Sequence, residues 1–123
     1  MGLRFSVQDN ADPVRAAIEG DGDADEFIGL LRELGGRSVG WPSARLLVDL
    51  RGVQTLYSFT DQLRIGEAVG VNFRHLRKHA AVVRPDRITR VGEKAAQHQG
   101  TRVRVFASEH EALAWLDDPD PGR

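Results

Sequence analysis

The sequence predicts an α/β fold: a single-layer, mixed and mainly parallel five-stranded sheet with helices packed on it, in the order β-β-α-β-α-β-α-β-α. Three features carry this. Two short, nearly continuous apolar runs, Leu46 to Leu50 and Ala80 to Val83, have the pattern of strands buried on both faces. Strict alternation of apolar and polar residues near the start marks half-buried strands. Between the strands, apolar residues recur at helical spacing, and such alternation implies right-handed crossovers onto a common sheet.

The elements follow in order. Leu3, Phe5 and Val7 alternate with polar residues, as do Val14, Ala16 and Ile18 after Asn10-Ala-Asp-Pro13, which predicts a hairpin. Asp23, with Glu26 three residues later, resembles a helix N-terminal cap. Phe27, Leu30, Leu31 and Leu34 form the apolar stripe of the helix, and Gly35-Gly36 is expected to close it, leaving 36–44 as a loop. The buried strand at Leu46–Leu50 is followed by a turn containing Gly52, then a helix from Ser58 or Thr60 to Lys78. Its stripe is Ile65, Val69, Phe73 and Leu76, and Gly66 and Gly70 are expected to let the sheet approach closely. Ala80–Val83 forms the next strand, stopped by Arg84-Pro85-Asp86. A helix over Thr89 to Gln99 ends at Gly100, and Val103 and Val105 alternate with arginines as in a strand near the sheet edge. Ser108-Glu-His-Glu111 is a capping box that opens the last helix, and Asp117-Asp-Pro-Asp-Pro ends it. Residues 1–123 make one domain with no internal repeat or linker, and 118–123 are expected to form a loose tail.

Composition narrows the function classes. Cysteine is absent, which excludes disulfides, thiol catalysis and thiolate metal sites. No basic flank leads into an apolar stretch at the start, and no run approaches the roughly 18 apolar residues of a membrane span, so a cytoplasmic protein is expected. The net charge of −1 conceals an asymmetry, −4 over residues 1–61 and +3 over 62–123. A basic face is therefore expected in the second half, but the chain as a whole is not basic, which argues against nucleic acid as its partner.

The strand-turn Leu-Leu-Val-Asp-Leu-Arg-Gly-Val and the closing Val-Arg-Val-Phe-Ala-Ser-Glu-His-Glu-Ala-Leu-Ala-Trp-Leu, taken with the element order, resemble the SpoIIAA-like group of the STAS superfamily. That group is also described as CRAL-TRIO-like, and the resemblance spans about residues 12–117. It implies a fold more strongly than a function, because its motifs are structural. Anti-sigma-factor antagonists of the superfamily carry Asp-Ser-Ser/Thr-Gly at the start of the helix after this strand, with a phosphorylated Ser. Tyr57-Ser58-Phe59-Thr60 falls on that segment and puts Ser58 on the phosphorylated position. Tyr57 replaces the Asp, Phe59 the second hydroxyl and Thr60 the Gly, so the flanking pattern that a kinase reads is largely gone. A Ser or Thr there also has a plain role as a helix cap.

The remaining candidates come from the residues themselves. In Arg74-His-Leu-Arg-Lys-His79 the two histidines would share a helix face, but Leu76 stands where a metalloprotease has its Glu and no third ligand is evident, so no metal is expected. Arg74, Arg77, Lys78 and His79 instead suggest cations at a helix C-terminus or a patch for an acidic group, joined by Arg84, Arg87 and Arg90. Asp49 within its apolar strand is expected to face the rim and bind loop amides. Gly20-x-Gly22 is no dinucleotide fingerprint, and no nucleophile, base and orienting group can be assigned, so neither a catalytic site nor a cofactor is expected. Trp41, Tyr57 and Phe59 are large apolar groups in loop or loop-to-helix positions, where they anchor the loop, line a pocket mouth or meet a partner.

The sequence thus predicts a binding module rather than an enzyme. It would present Tyr57–Lys78 to a protein partner or a second copy of itself. The alternative is a carrier or sensor of a small apolar ligand, as the CRAL-TRIO resemblance implies, with Tyr57, Phe59, Ile65 and Phe73 around the ligand and the Arg74–His79 tract on an acidic headgroup.

Overall fold

The computed structural model describes residues 2–119. Its elements are β1 (Leu3–Gln8), β2 (Val14–Gly20), α1 (Ala24–Ser38), β3 (Arg45–Val53), α2 (Phe59–Phe73), β4 (Lys78–Val82), a short 3₁₀ turn at Pro85–Arg87, α3 (Val91–His98), β5 (Val103–Phe106) and α4 (Glu109–Asp117). The strands lie in the sheet in chain order, β1 antiparallel to β2 and the other neighbours parallel. With the strands advancing steadily in one direction, right-handed crossovers place α1, α2 and α3 on one face. α4 packs alone on the other face, against β3, β4 and β5. The predicted architecture and element order therefore hold.

The alternation of side chains along each strand divides the core between the faces. Val14, Ala16, Ile18, Leu46 and Val48 pack with Phe27, Leu31, Leu34 and Phe73. Leu47, Ala80 and Val82 point the other way, onto Ala112 and Leu116 of α4. The continuous apolar run of β3 has this cause: a central strand covered on both sides needs apolar residues at successive positions.

Caps set the helix starts. Asp23 accepts from the backbone N–H of Glu26 at 2.9 Å, and Ser108 accepts from that of Glu111 at 3.2 Å. The Glu26 carboxylate does not return to Asp23. It accepts the Leu3 N–H at 2.7 Å and ties α1 to the edge strand β1.

Several predicted boundaries move. α1 does not close at Gly35-Gly36 but runs to Ser38, shortening the predicted 36–44 loop. Neither glycine has positive φ, and a Cβ on Gly35 would sit 2.8 Å from Asn72 Cβ. The missing side chain brings α1 against α2 and does not end the helix. Gly52 lies inside β3, not in a turn, opposite Glu19 where the β2–β3 register shifts. Gly66 and Gly70 do admit a close neighbour, but it is α3 and not the sheet: a Cβ on Gly66 would lie 2.8 Å from Gly92 Cα, and one on Gly70 2.8 Å from the Ala96 carbonyl. α2 ends at Phe73, five residues short of Lys78, because Lys78 and His79 pair with Arg45 and Leu46 as the start of β4. Of the predicted tail, 120–123 lie outside the described residues.

Candidate functional site

Of the residues singled out from the sequence, the rim between β3 and α2 gathers Tyr57, Ser58, Phe59 and Thr60. Ser58 is the cap of α2, its hydroxyl accepting from the Asp61 N–H at 3.1 Å, while Thr60 lies exposed within the first turn. Tyr57 turns inward: its hydroxyl donates to the Gly22 carbonyl at 2.7 Å, and its ring meets Phe27 edge-on with centroids 5.7 Å apart. Burial pushes its phenol pKa upward. On either side, Leu56 and Phe59 are 76% and 64% exposed. Arg64 pairs with Asp25 and so fastens α2 to α1 beside this edge.

Behind the rim lies a cavity of about 280 Å³, between α2, α3 and the C-terminal parts of β3, β4 and β5. Leu50, Val53, Ile65, Val69, Ala81 and Val105 are among its apolar walls. Its polar rim is stitched together by hydrogen bonds. Gln62 donates to the Tyr57 carbonyl at 2.9 Å and accepts from the Thr89 hydroxyl at 2.7 Å. Arg87 donates to the carbonyls of Val53, Gln54 and Thr55 at 3.2 to 3.4 Å, clamping the β3–α2 connection to the turn after β4. Glu93, 9% exposed, accepts from Arg90 at 3.0 Å and from the Val105 N–H at 2.9 Å. Crevices at the carboxyl ends of parallel strands are where α/β sheets bind ligands.

Of the predicted contacts, Tyr57 and Ile65 line this cavity. Phe59 lies outside it, with Leu63 and Val91 along a shallow groove between α2 and α3. Phe73 is core, its ring 5.4 Å from that of His79. Trp41 sits at the opposite end of the sheet, ahead of β3, half-buried against the main core.

The basic tract does not form the predicted patch. Lys78 is buried, and its ammonium donates to the carbonyls of Trp115 and Asp118 at 2.7 and 2.9 Å, 4.7 Å from the centre of the Trp115 ring. It completes the C-terminal end of α4, whose last carbonyls have no intrahelical donor. His79 is 2% exposed, 2.7 Å from the Thr101 hydroxyl, and burial, with a smaller contribution from nearby His75, holds its pKa at about 3. His75 lies on the turn after α2, its Nε2 2.8 Å from the Ser38 hydroxyl, so the two histidines share no helix face. Arg74, His75 and Arg77 are what remains exposed of the tract. Among the described residues no group of three or more His, Asp or Glu side chains is placed to hold a metal, and no helix is long and apolar enough to cross a membrane.

On the face opposite the cavity, where α4 leaves part of the sheet open, Asp49 is held by two arginines. Arg51 donates to it at 2.9 Å and Arg15 at 3.0 Å, and both arginines also bond Glu109 at the start of α4. The Arg51 side chain and backbone N–H hold the Asp49 pKa down to about 2. Asp49 therefore binds side chains and one local N–H, in a closed, mutually neutralising set.

The sequence gives little sign of the cavity. Gln62, Thr89 and Glu93 fall in no motif, and Arg87 reads from the sequence only as a member of the basic patch.

Two solved structures share this fold. An anti-sigma factor antagonist from Mycobacterium paratuberculosis superposes with a TM-score of 0.67 at 18% identity, over 95% of this chain and 96% of its own. An uncharacterised protein from Shewanella loihica with a SpoIIAA-like fold superposes with a TM-score of 0.56 at 16% identity, over 94% of both chains. At these identities the likeness is one of fold. No curated protein matches the chain in sequence. The SpoIIAA-like family profile, however, matches residues 14–117, from the first residue of β2 to the last of α4, and the chain belongs to the SpoIIAA-like family.

Proposed function

We propose that this protein is a regulatory module that works by binding another protein rather than by catalysis, with the rim between β3 and α2 as its docking edge. The observation that carries this is the exposure of Leu56 and Phe59, 76% and 64%, on either side of Ser58. Large apolar groups held out where the β3–α2 connection meets the helix gain by leaving water when a partner covers them. The fold shared with a protein described as an anti-sigma factor antagonist supports a protein-directed role. Ser58 is the natural control point. A phosphate on its exposed hydroxyl would meet the positive end of the α2 dipole and place new charge between the two apolar anchors.

The test is capture from the source organism with the wild-type chain and with a Leu56→Ser/Phe59→Ser variant, followed by titration of the purified captured protein. The reading expects affinity to fall by about tenfold or more in the variant, as for central apolar anchors, with an unchanged melting temperature. Equal affinity would move the interface elsewhere.

The cavity behind the rim favours a second reading, a carrier or sensor of a small apolar ligand. Native mass spectrometry of freshly purified protein, set against its denatured mass, tests it. Mass present natively and lost on denaturation supports a bound molecule.

A further inference from the structure

We propose that the cavity under α2 takes a compact, neutral, mostly apolar molecule about the size of a two-ring aromatic, and discriminates against acids, fatty acids included. This rests on the ligand reading above and specifies the ligand's chemistry.

Size comes first. An apolar cavity of about 150 Å³ accommodates a benzene ring. The 280 Å³ here is nearly twice that, room for a fused bicyclic skeleton but not for a long acyl chain.

Chemistry comes from the polar groups in the wall, nearly all of which already have protein partners. Tyr57 donates to Gly22, Gln62 to Tyr57 and Thr89 to Gln62. Thr55 accepts from the Gly22 N–H and donates to Asp21. Arg87, the only cation in the wall among the described residues, is turned onto three backbone carbonyls. Glu93 is answered by Arg90 and Val105. The remaining polar wall residue is Asp86, an exposed carboxylate at the mouth. A ligand carboxylate would therefore leave water, find the donors of the wall already engaged with protein acceptors, and face two carboxylates against one guanidinium turned onto backbone carbonyls. A buried charge without hydrogen-bond partners is strongly disfavoured. A buried cation would meet Asp86, solvated at the mouth, and Glu93, whose charge Arg90 already answers. An uncharged molecule with at most one hydroxyl loses none of this.

The experiment titrates the full chain with three probes of one skeleton: 1-naphthol, 1-naphthoate and 1-naphthylmethylamine, with palmitate as the acyl-chain comparison. 1-Naphthol is expected to bind at least about tenfold more tightly than either charged probe, the difference that one unsatisfied buried group makes. Ala81→Leu, which fills the cavity from β4, should abolish naphthol binding, and Val83→Phe serves the same purpose if that variant does not fold. Phe59→Ser, outside the cavity, should bind as the wild type does. Tighter binding of naphthoate, naphthylmethylamine or palmitate would overturn the inference while leaving the ligand reading standing. Binding of none of the four, or naphthol binding unaffected by both filling variants, would overturn the ligand reading and the inference together.

Discussion

The imidazole of His79 and the hydroxyl of Thr101 lie 2.7 Å apart where water does not reach, and Thr101 also donates to the carbonyl of Phe73 at 3.4 Å, where α2 ends. The pair joins β4, the start of β5 and the end of α2 with a ring that must stay neutral. Its pKa of about 3 lies well below the ordinary 6.5 of the unfolded chain. Between those values the unfolded state binds a proton that the folded state refuses, so stability is full above pH 6.5 and declines as the pH falls toward 3. Urea melts from pH 7 to 4.5 should show this slope, and His79→Gln, which keeps a hydrogen-bonding group but does not titrate, should flatten it. An unchanged slope in that variant would mean that His79 is not its source.

Asp49 acts at lower pH. Its folded pKa is depressed from 3.8 to about 2, so its contribution is present above 3.8 and is lost as the pH falls through 2. Its side chain is 17% exposed and its partners more so, which screens the network. Asp49→Asn should cost about 1 kcal/mol at neutral pH, and less in high salt. Chemical denaturation at two ionic strengths measures both effects.

Gly66→Ala should destabilise the fold by about 2 kcal/mol or more, since the added methyl enters the backbone of α3 at Gly92 and overpacking is costly. Gly29→Ala is the control. Nothing lies within 4 Å of a Cβ on that helical glycine, so stability should rise by about 0.5 to 1 kcal/mol. Thermal melts of the two variants should move in opposite directions.

Ser58 separates capping from signalling. Ser58→Ala should cost about 1 kcal/mol, the usual loss for a side-chain cap. Ser58→Asp keeps an acceptor for the Asp61 N–H and should restore most of that stability. If the Asp variant nevertheless changes partner affinity or self-association, the hydroxyl is a regulatory position. If it changes neither, Ser58 is a cap alone.

Lys78→Met should keep the packing but take the ammonium from the carbonyls of Trp115 and Asp118, leaving Trp115 only the Asp118 N–H at 3.3 Å, at a cost of about 1 to 3 kcal/mol. Amide exchange in α4 should speed up ahead of the rest of the chain.

The fold is legible in the sequence wherever burial imposes a period. Leu46–Val48 and Ala80–Val82 announce central strands, and Ser108 with Glu111 announces the start of α4. What misleads is polarity at a strand start. Arg74 to His79 continues a helical-looking segment, and only pairing with Arg45 and Leu46 makes its last two residues a strand and buries them. Glycine misleads in a related way. Gly35, Gly66 and Gly70 look like stops or weak points, whereas each marks a helix–helix approach that requires knowledge of the neighbour. The rim is legible through Tyr57 to Thr60, where large apolar residues flank a cap, but not through Leu56, whose exposure only the structure shows. The cavity is not, because Leu50, Ile65, Ala81 and Val105 converge from four separate elements and share no spacing.

The contact of Gly66 with Gly92 also bears on time. Two helices packed backbone to backbone leave no slack between them, so lifting α2 alone from the sheet would open the α2–α3 contact as well. Whatever exchanges with the space beneath them must pass through the connections after β3 and β4, where Arg87 and the Gln62–Thr89 pair hold the seam. For a molecule held there, residence time would then depend on a handful of hydrogen bonds at the seam more than on helix motion. A substitution such as Thr89→Val would alter how long a molecule stays far more than how well it fits.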